Sequence, residues 1–181
     1  MQSQAHTYKP AARFLHWSMA LLVLATIPAG AIMIQDGISR SLQNTLFIFH
    51  KNVGVLLLLL IVVRLAYRLR NPPPPEPAHL AEWQVTVAGA VHWALYGLLF
   101  LMPLSGYVRV RAGGFPIEAL DALGVPALVP RSDALANFAK ATHFWCSWAI
   151  AALVALHIAA ALQHAVLKKD GVFQRMWPGR A

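Results

Sequence analysis

The stretch His143–His157, HFWCSWAIAALVALH, decides the fold. Between its two histidines every residue except Ser147 is apolar. At ~100° per residue, fourteen steps amount to four turns less ~40°, so both imidazoles face nearly the same way. Their separation along a helix is ~21 Å, enough to put one near each face of a membrane whose apolar core is ~30 Å thick. Two further apolar segments carry His16 and His50. The stretch therefore predicts a membrane-crossing helix with ring nitrogens at two depths and partners on neighbouring helices.

Composition agrees with a membrane chain. Of 181 residues, 58% are hydrophobic and 12% charged, against about 25% charged in a soluble domain. The charges are segregated, leaving four spans at about 12–34, 46–69, 85–108 and 139–167. The expected fold is all-α: one domain over 1–181, an integral membrane four-helix bundle. The run from Phe14 to Ile34 follows Lys9 and Arg13 and holds Ala29-Gly30-Ala31, which resembles a small-residue cleavage site. It is longer than a signal core and contains His16 and Trp17, so it reads as a retained first helix. The connections are polar or rich in breakers. Residues 71–82 contain Pro72, Pro73, Pro74, Pro75 and Pro77, a stiff extended linker. Residues 109–140 form the longest connection, with a weakly amphipathic stretch at 117–123 expected to lie on the surface.

The net charge of +8 does not point to nucleic acid, because the basic residues flank the spans, where lipid headgroups and topology explain them. The side with both ends of the chain carries Lys9, Arg13, Arg64, Arg68, Arg70, Lys168, Lys169, Arg175 and Arg180. The other carries Arg40, Lys51, Arg109, Arg111, Arg131 and Lys140. Nine against six favours both termini in the cytoplasm. Trp17, Trp83, Trp145 and Trp177 fall near span ends, as interfacial aromatics do. The single cysteine, Cys146, makes no intrachain disulfide and reads as a small buried filler.

With that orientation His50 and His143 lie toward the outer face, and His16 and His157 toward the cytoplasm. A lone intramembrane histidine ordinarily makes an interhelical hydrogen bond; four at two matched depths point to ligation. Imidazole pairs without carboxylate or thiolate suit low-spin haem iron. Zinc sites want three or four clustered ligands, and non-haem iron wants a carboxylate. Two haems packed between the helices are expected. Gly54, one turn after His50, would leave room for a porphyrin edge, or serve ordinary helix packing. His92 and His164 stay open: inner ligand, partner of a haem propionate or a quinone head, or packing residue. His6 and His79 read as solvated loop residues.

The ordered set Arg13-Phe-Leu-His-Trp17, His50-Lys-Asn-Val-Gly54, Arg64-Leu-Ala-Tyr-Arg68, then His92, Tyr96, Pro103, Gly106, His143 and His157 resembles the bacterial cytochrome b-561 family over roughly residues 8–177. Within it, the chain looks most like the short, stand-alone members that include superoxide oxidase. The resemblance implies two b-type haems held by His16, His50, His143 and His157, in the bacterial inner membrane. It implies electrons passing from superoxide at the outer haem to ubiquinone from the inner one. Lys51, Arg109 and Arg111 would form a basic mouth that attracts a small anion, or would neutralise propionates or anchor the helix end. Asp36, Glu118, Asp121 and Asp133 share that side and would dilute the field. Arg13, Arg64 and Arg68 read as propionate partners or topology signals. Two alternatives remain: a quinol-linked electron-transfer subunit serving a periplasmic redox protein, and a haem-free bundle, which the aligned histidines disfavour. No catalytic nucleophile, phosphate loop or nucleotide fingerprint is visible.

Overall fold

With no water in hydrocarbon, each backbone N–H and C=O must be satisfied within its own segment, so the apolar runs become helices. The computed structural model describes residues 7–179. It contains α1 (Pro10–Ile32), α2 (Arg40–Arg70), α3 (Glu82–Ala112), the short α4 (Glu118–Ala122) and α5 (Asp133–Leu162). α5 continues into a π-helical turn, Gln163–Lys168, and a 3-10 turn follows at Phe173–Arg175. Among the described residues there is no strand. α1, α2, α3 and α5 with its π turn are long and apolar enough to cross a membrane.

The helices run beyond the apolar stretches. α2 starts at Arg40 because Ser39 caps it, its side chain accepting from Leu42 N at 3.2 Å. α5 starts at Asp133 because Ser132 does the same for Leu135 N at 3.3 Å. Polar first turns are therefore helical although hydropathy alone would leave them in loops. Pro10 stands in the first turn of α1, where its missing N–H costs nothing.

α1 packs on α2, α2 on α3, and α3 on α5, while α1 and α5 make little direct backbone contact. The core is a thin layer at mid-height: Met19 and Val23 of α1 with Leu57 and Ile61 of α2, backed by Tyr96, Leu99 and Val154. Along every helix this layer falls between the two histidine depths. Cys146 is buried and free, the small filler expected. Leu21, Leu59 and Trp148 are exposed on the outside, an apolar belt that suits lipid and would be a liability in water.

At the end holding both termini, the last segment of the chain folds back as a strap. Tyr8 N donates to Arg175 O at 3.0 Å, and Trp17 Nε1 to Met176 O at 2.8 Å. Arg13 donates to the carbonyls of Trp177 and Gly179. Buried Arg175 reaches Glu76 Oε2 at 2.7 Å, Pro74 O at 2.8 Å and Pro75 O at 2.7 Å, so one guanidinium pins a proline run that has few donors of its own. Arg175→Ala is expected to cost ~2–3 kcal/mol, measured as a fall in unfolding free energy in detergent by near-ultraviolet circular dichroism. An unchanged value would mean the strap carries no stability.

Candidate haem-binding site

Near the end away from the termini, His50 of α2 leans on α1 and His143 of α5 leans on α3. His50 Nδ1 lies 3.1 Å from Thr26 O, and His143 Nδ1 lies 3.0 Å from Met102 O. A carbonyl only accepts, so each Nδ1 carries the proton and each Nε2 keeps its lone pair. Ser105 Oγ lies 3.2 Å from His143 Nδ1 and donates to Met102 O at 2.8 Å, steadying the same group.

The two cradles share a design. Four residues after each accepting carbonyl comes a glycine, Gly30 after Thr26 and Gly106 after Met102. A Cβ at Gly30 would stand 2.8 Å from His50 Cε1, and one at Gly106 would stand 3.1 Å from His143 Cε1. A side chain at Gly30 would displace the imidazole, and one at Gly106 would make its ring give by a few tenths of an ångström. Sequence reading missed Gly30, which looked like part of a cleavage-like tripeptide, and gave Gly106 no role. The available clue was a glycine at the depth of a histidine on the adjacent span. A Cβ at Gly54 would meet nothing within 4 Å, which leaves the room a porphyrin edge needs.

The His50 and His143 ring centres are 6.1 Å apart. Toward the other end, His16 and His157 are also 6.1 Å apart, and His92 approaches His157 at 5.5 Å. Two metal–nitrogen bonds of ~2.0 Å, with ~1.1 Å from each nitrogen to its ring centre, span ~6.2 Å. The His50–His143 and His16–His157 separations therefore leave room for a metal ion that one nitrogen of each ring would hold. Among the described residues no three His, Cys, Asp or Glu side chains converge as a chelating cluster, so the donor sets are pairs. The pairs bridge helices that are not packed tightly on each other, α2 with α5 and α1 with α5. A flat macrocycle needs such a seam.

The charged residues fall differently from a bare basic mouth. Lys51 Nζ binds Glu118 Oε1 at 2.6 Å and Pro116 O at 2.7 Å. Asn52 donates to Glu118 Oε2 and accepts from Ala119 N, so adjacent residues within α2 hold the start of α4. The stretch at 117–123 thus docks on the bundle, with Ile117 1% exposed. Arg111 is buried, with Nη2 2.6 Å from Asp121 Oδ1, and its Nε has no hydrogen-bond partner among the described residues. Two of the three cations are therefore neutralised locally. Arg109 alone has no carboxylate within 4.0 Å among the described residues. Partial burial would raise the Glu118 carboxyl, but the Lys51 hydrogen bond and charge outweigh it and hold the group below its ordinary 4.5. Hydrogen bonding to Arg111 likewise holds Asp121 low. The α4 latch is thus complete above about pH 4.5 and is lost as pH falls through the depressed value.

At the strap end Arg64 Nε donates to Tyr96 OH at 3.1 Å, and Arg68 lies over the Trp93 and Tyr96 rings. Arg13 is engaged by the strap carbonyls. His164 is held by Asp170, its Nδ1 2.7 Å from Oδ2. His79, expected to be solvated, is half exposed and 3.5 Å from the same oxygen. His6 and Arg180 lie outside the described residues.

Four apolar helices bearing opposed imidazoles at two depths define a membrane cytochrome. The chain belongs to the prokaryotic cytochrome b561 family, whose model matches residues 7–179; these are membrane proteins that bind b-type haem and work in electron transfer. It is 35% identical over 162 residues to cytochrome b561 homolog 2 of Escherichia coli K12, covering 89% of this chain and 86% of that one. It is 29% identical over 164 residues to the probable superoxide oxidase CybB of Yersinia pestis, covering 91% and 92%. It is 28% identical over 173 residues to cytochrome b561 homolog 1 of E. coli K12, covering 92% and 94%.

Gly30→Ala is expected to push His50 off Thr26 O and lose haem, whereas Gly89→Ala, where a Cβ meets nothing within 4 Å, keeps it. The reduced-minus-oxidised difference spectrum per chain measures both, and equal haem in the two variants would remove the cradle from the account.

Proposed function

We propose that the protein is a superoxide:ubiquinone oxidoreductase of the bacterial inner membrane, with both termini in the cytoplasm. The observation that carries the reading is the pair of equal 6.1 Å imidazole separations at opposite ends of one bundle. The similarity to a probable superoxide oxidase supports the choice of substrate. His50 and His143 hold an outer haem, and His16 and His157 an inner one. Bound there, the two haems supply one-electron transfer: each of two superoxide ions loses an electron to become dioxygen, and ubiquinone gains both electrons with two protons to become ubiquinol.

The protein's own residues set the conditions. Thr26 O and Met102 O accept from the outer imidazoles, which orients the rings and raises their basicity as ligands. The layer of Met19, Val23, Leu57 and Ile61 excludes water between the two levels. His92, beside His157, is positioned to donate to an inner propionate or a quinone oxygen. Arg109 supplies attraction for an anion at the outer mouth, while Lys51 and Arg111 act mainly by holding α4.

The local neutralisation of Lys51 and Arg111 favours one competing reading, a quinol-linked subunit whose outer partner is a periplasmic redox protein docking over α4. Stopped-flow mixing with superoxide, with and without ubiquinone, separates the two. The enzyme reduces its haem on the millisecond scale and then reoxidises on adding quinone, whereas the subunit responds slowly to superoxide. A superoxide response no faster than the uncatalysed background rejects the proposal.

His143→Ala is expected to abolish the outer haem and His157→Ala the inner, each leaving one haem per chain by pyridine haemochrome assay. Two haems in either variant would overturn the ligand assignment. Glu118→Gln removes one negative charge from the mouth and should raise the superoxide rate severalfold at low salt, with the gain fading as ionic strength rises. A rate unmoved at low salt would show that this mouth does not steer anions.

A further inference from the structure

α5 does not stop where its α-helical geometry stops. Gln163–Lys168 form a π-helical turn, and Lys169 then takes φ +52°, a left-handed conformation that few residues with a side chain adopt. Single π turns are uncommon and cluster at functional positions, because the extra residue re-aims a side chain. The side chain presented here is His164. It stands seven residues past His157, ~10 Å further along α5 and rotated only ~20° for an α-helical step. The inner histidine stripe thus continues toward the surface.

His164 meets Asp170, Nδ1 to Oδ2 2.7 Å, with side chains 14% and 15% exposed. Val172 N donates to the other carboxylate oxygen at 3.3 Å, which leaves Oδ2 to be shared. The second imidazole on Oδ2 is His79, whose Nε2 lies 3.5 Å away and whose side chain is 49% exposed. His79 comes from the proline-rich linker, so three separate parts of the chain meet at one oxygen. Lys168 and Lys169 on the same turn, and Arg175 with its partner Glu76 on the adjoining strap and linker, set the surrounding charge. Burial would raise the Asp170 carboxyl, but the His164 hydrogen bond, the Val172 amide and both imidazoles outweigh it and hold it below the usual 3.8. It is a carboxylate at neutral pH, bridging two imidazoles.

From this geometry we infer that His79, Asp170 and His164 form a proton-uptake relay serving quinone reduction at the strap end of the bundle. The inference rests on the quinone-reducing reading above. Ubiquinone takes two electrons, drawn from two superoxide ions, and two protons. For each proton, His164 starts doubly protonated, keeps its Nδ1–H on the Asp170 carboxylate and releases its Nε2 proton inward to the quinone oxygen. The ring then turns its bare nitrogen to Oδ2; the N–H bond at protonated His79 breaks as its proton crosses to Oδ2, and Oδ2 passes that proton to the bare nitrogen. His79 then takes a proton from water, and ring reorientation restores the starting position of His164. The relay ends each cycle unchanged.

The test uses the haem-loaded protein in proteoliposomes. Asp170→Asn should leave reduction by superoxide unchanged and slow the ubiquinone-dependent reoxidation by about a hundredfold, with an enlarged solvent deuterium isotope effect. Added imidazole should partly restore reoxidation in His79→Ala. Histidine-labelled nuclear magnetic resonance gives a readout independent of turnover: the hydrogen-bonded Nδ1–H resonance of His164 is present in the wild type and lost or moved in Asp170→Asn. Asp170→Glu keeps the carboxylate and should keep most of the rate, which separates proton transfer from folding. If Asp170→Asn matches the wild type in reoxidation from about pH 6 to 9, the relay alone falls. If the wild type itself passes no electrons to ubiquinone, the relay falls together with the proposed function.

Discussion

An imidazole inside a membrane is oriented most firmly when one of its nitrogens already has a partner. Water cannot supply that partner in hydrocarbon, and a carboxylate there would itself need pairing. This protein uses the helix backbone instead. Thr26 O and Met102 O each accept from a histidine on an adjacent helix, and a glycine one turn later lets the ring reach the carbonyl. The bond fixes the tautomer, turns Nε2 away from its own cradle, and ties α1 to α2 and α3 to α5. Ligand geometry and helix pairing are thus one interaction, which is why α1–α2 and α3–α5 pack closely while the histidines reach across the looser seams.

The same economy explains what could be read in the chain. Helix number, the apolar belt and the two histidine depths follow from hydropathy and from a fixed rise per residue, both local properties. His16, His50, His143 and His157 stand out because ionisable groups are rare in spans. The cradles of Gly30 and Gly106 were not legible, since a glycine in an apolar run looks the same whether it faces lipid, a helix or an imidazole. Gly54 drew notice by its spacing from His50, yet the glycine that touches His50 lies on another helix. Helix starts at Arg40 and Asp133 ran ahead of the hydropathy because Ser39 and Ser132 cap polar turns.

Charge was the least legible property. Lys51, Arg109 and Arg111 read alike in sequence, but the fold divides them. α4 brings Glu118 and Asp121 onto two of them and leaves Arg109. A long connection with mixed charge therefore does not add its cations to one field; the short helix inside it decides which remain available. Once paired, Lys51 contributes chiefly through the two hydrogen bonds that seat α4 on the bundle.

The two ends of the bundle differ in a way that suits different chemistry. Around His50 and His143 the imidazole protons are committed to backbone carbonyls, which on the proposed reading suits ligation without proton exchange. Around His16 and His157 there is a third imidazole, His92, with Arg64, Arg68 and Tyr96 close by and a strap of the chain laid over them. Among the described residues no backbone bond commits His92, and the histidine stripe runs on through His164 to Asp170 and the half-exposed His79. Taking an electron from a small anion requires no proton, whereas reducing a quinone to a quinol requires two. A fold that commits both ring protons at one histidine pair and lines further imidazoles up beyond the other has the polarity that the proposed reaction demands.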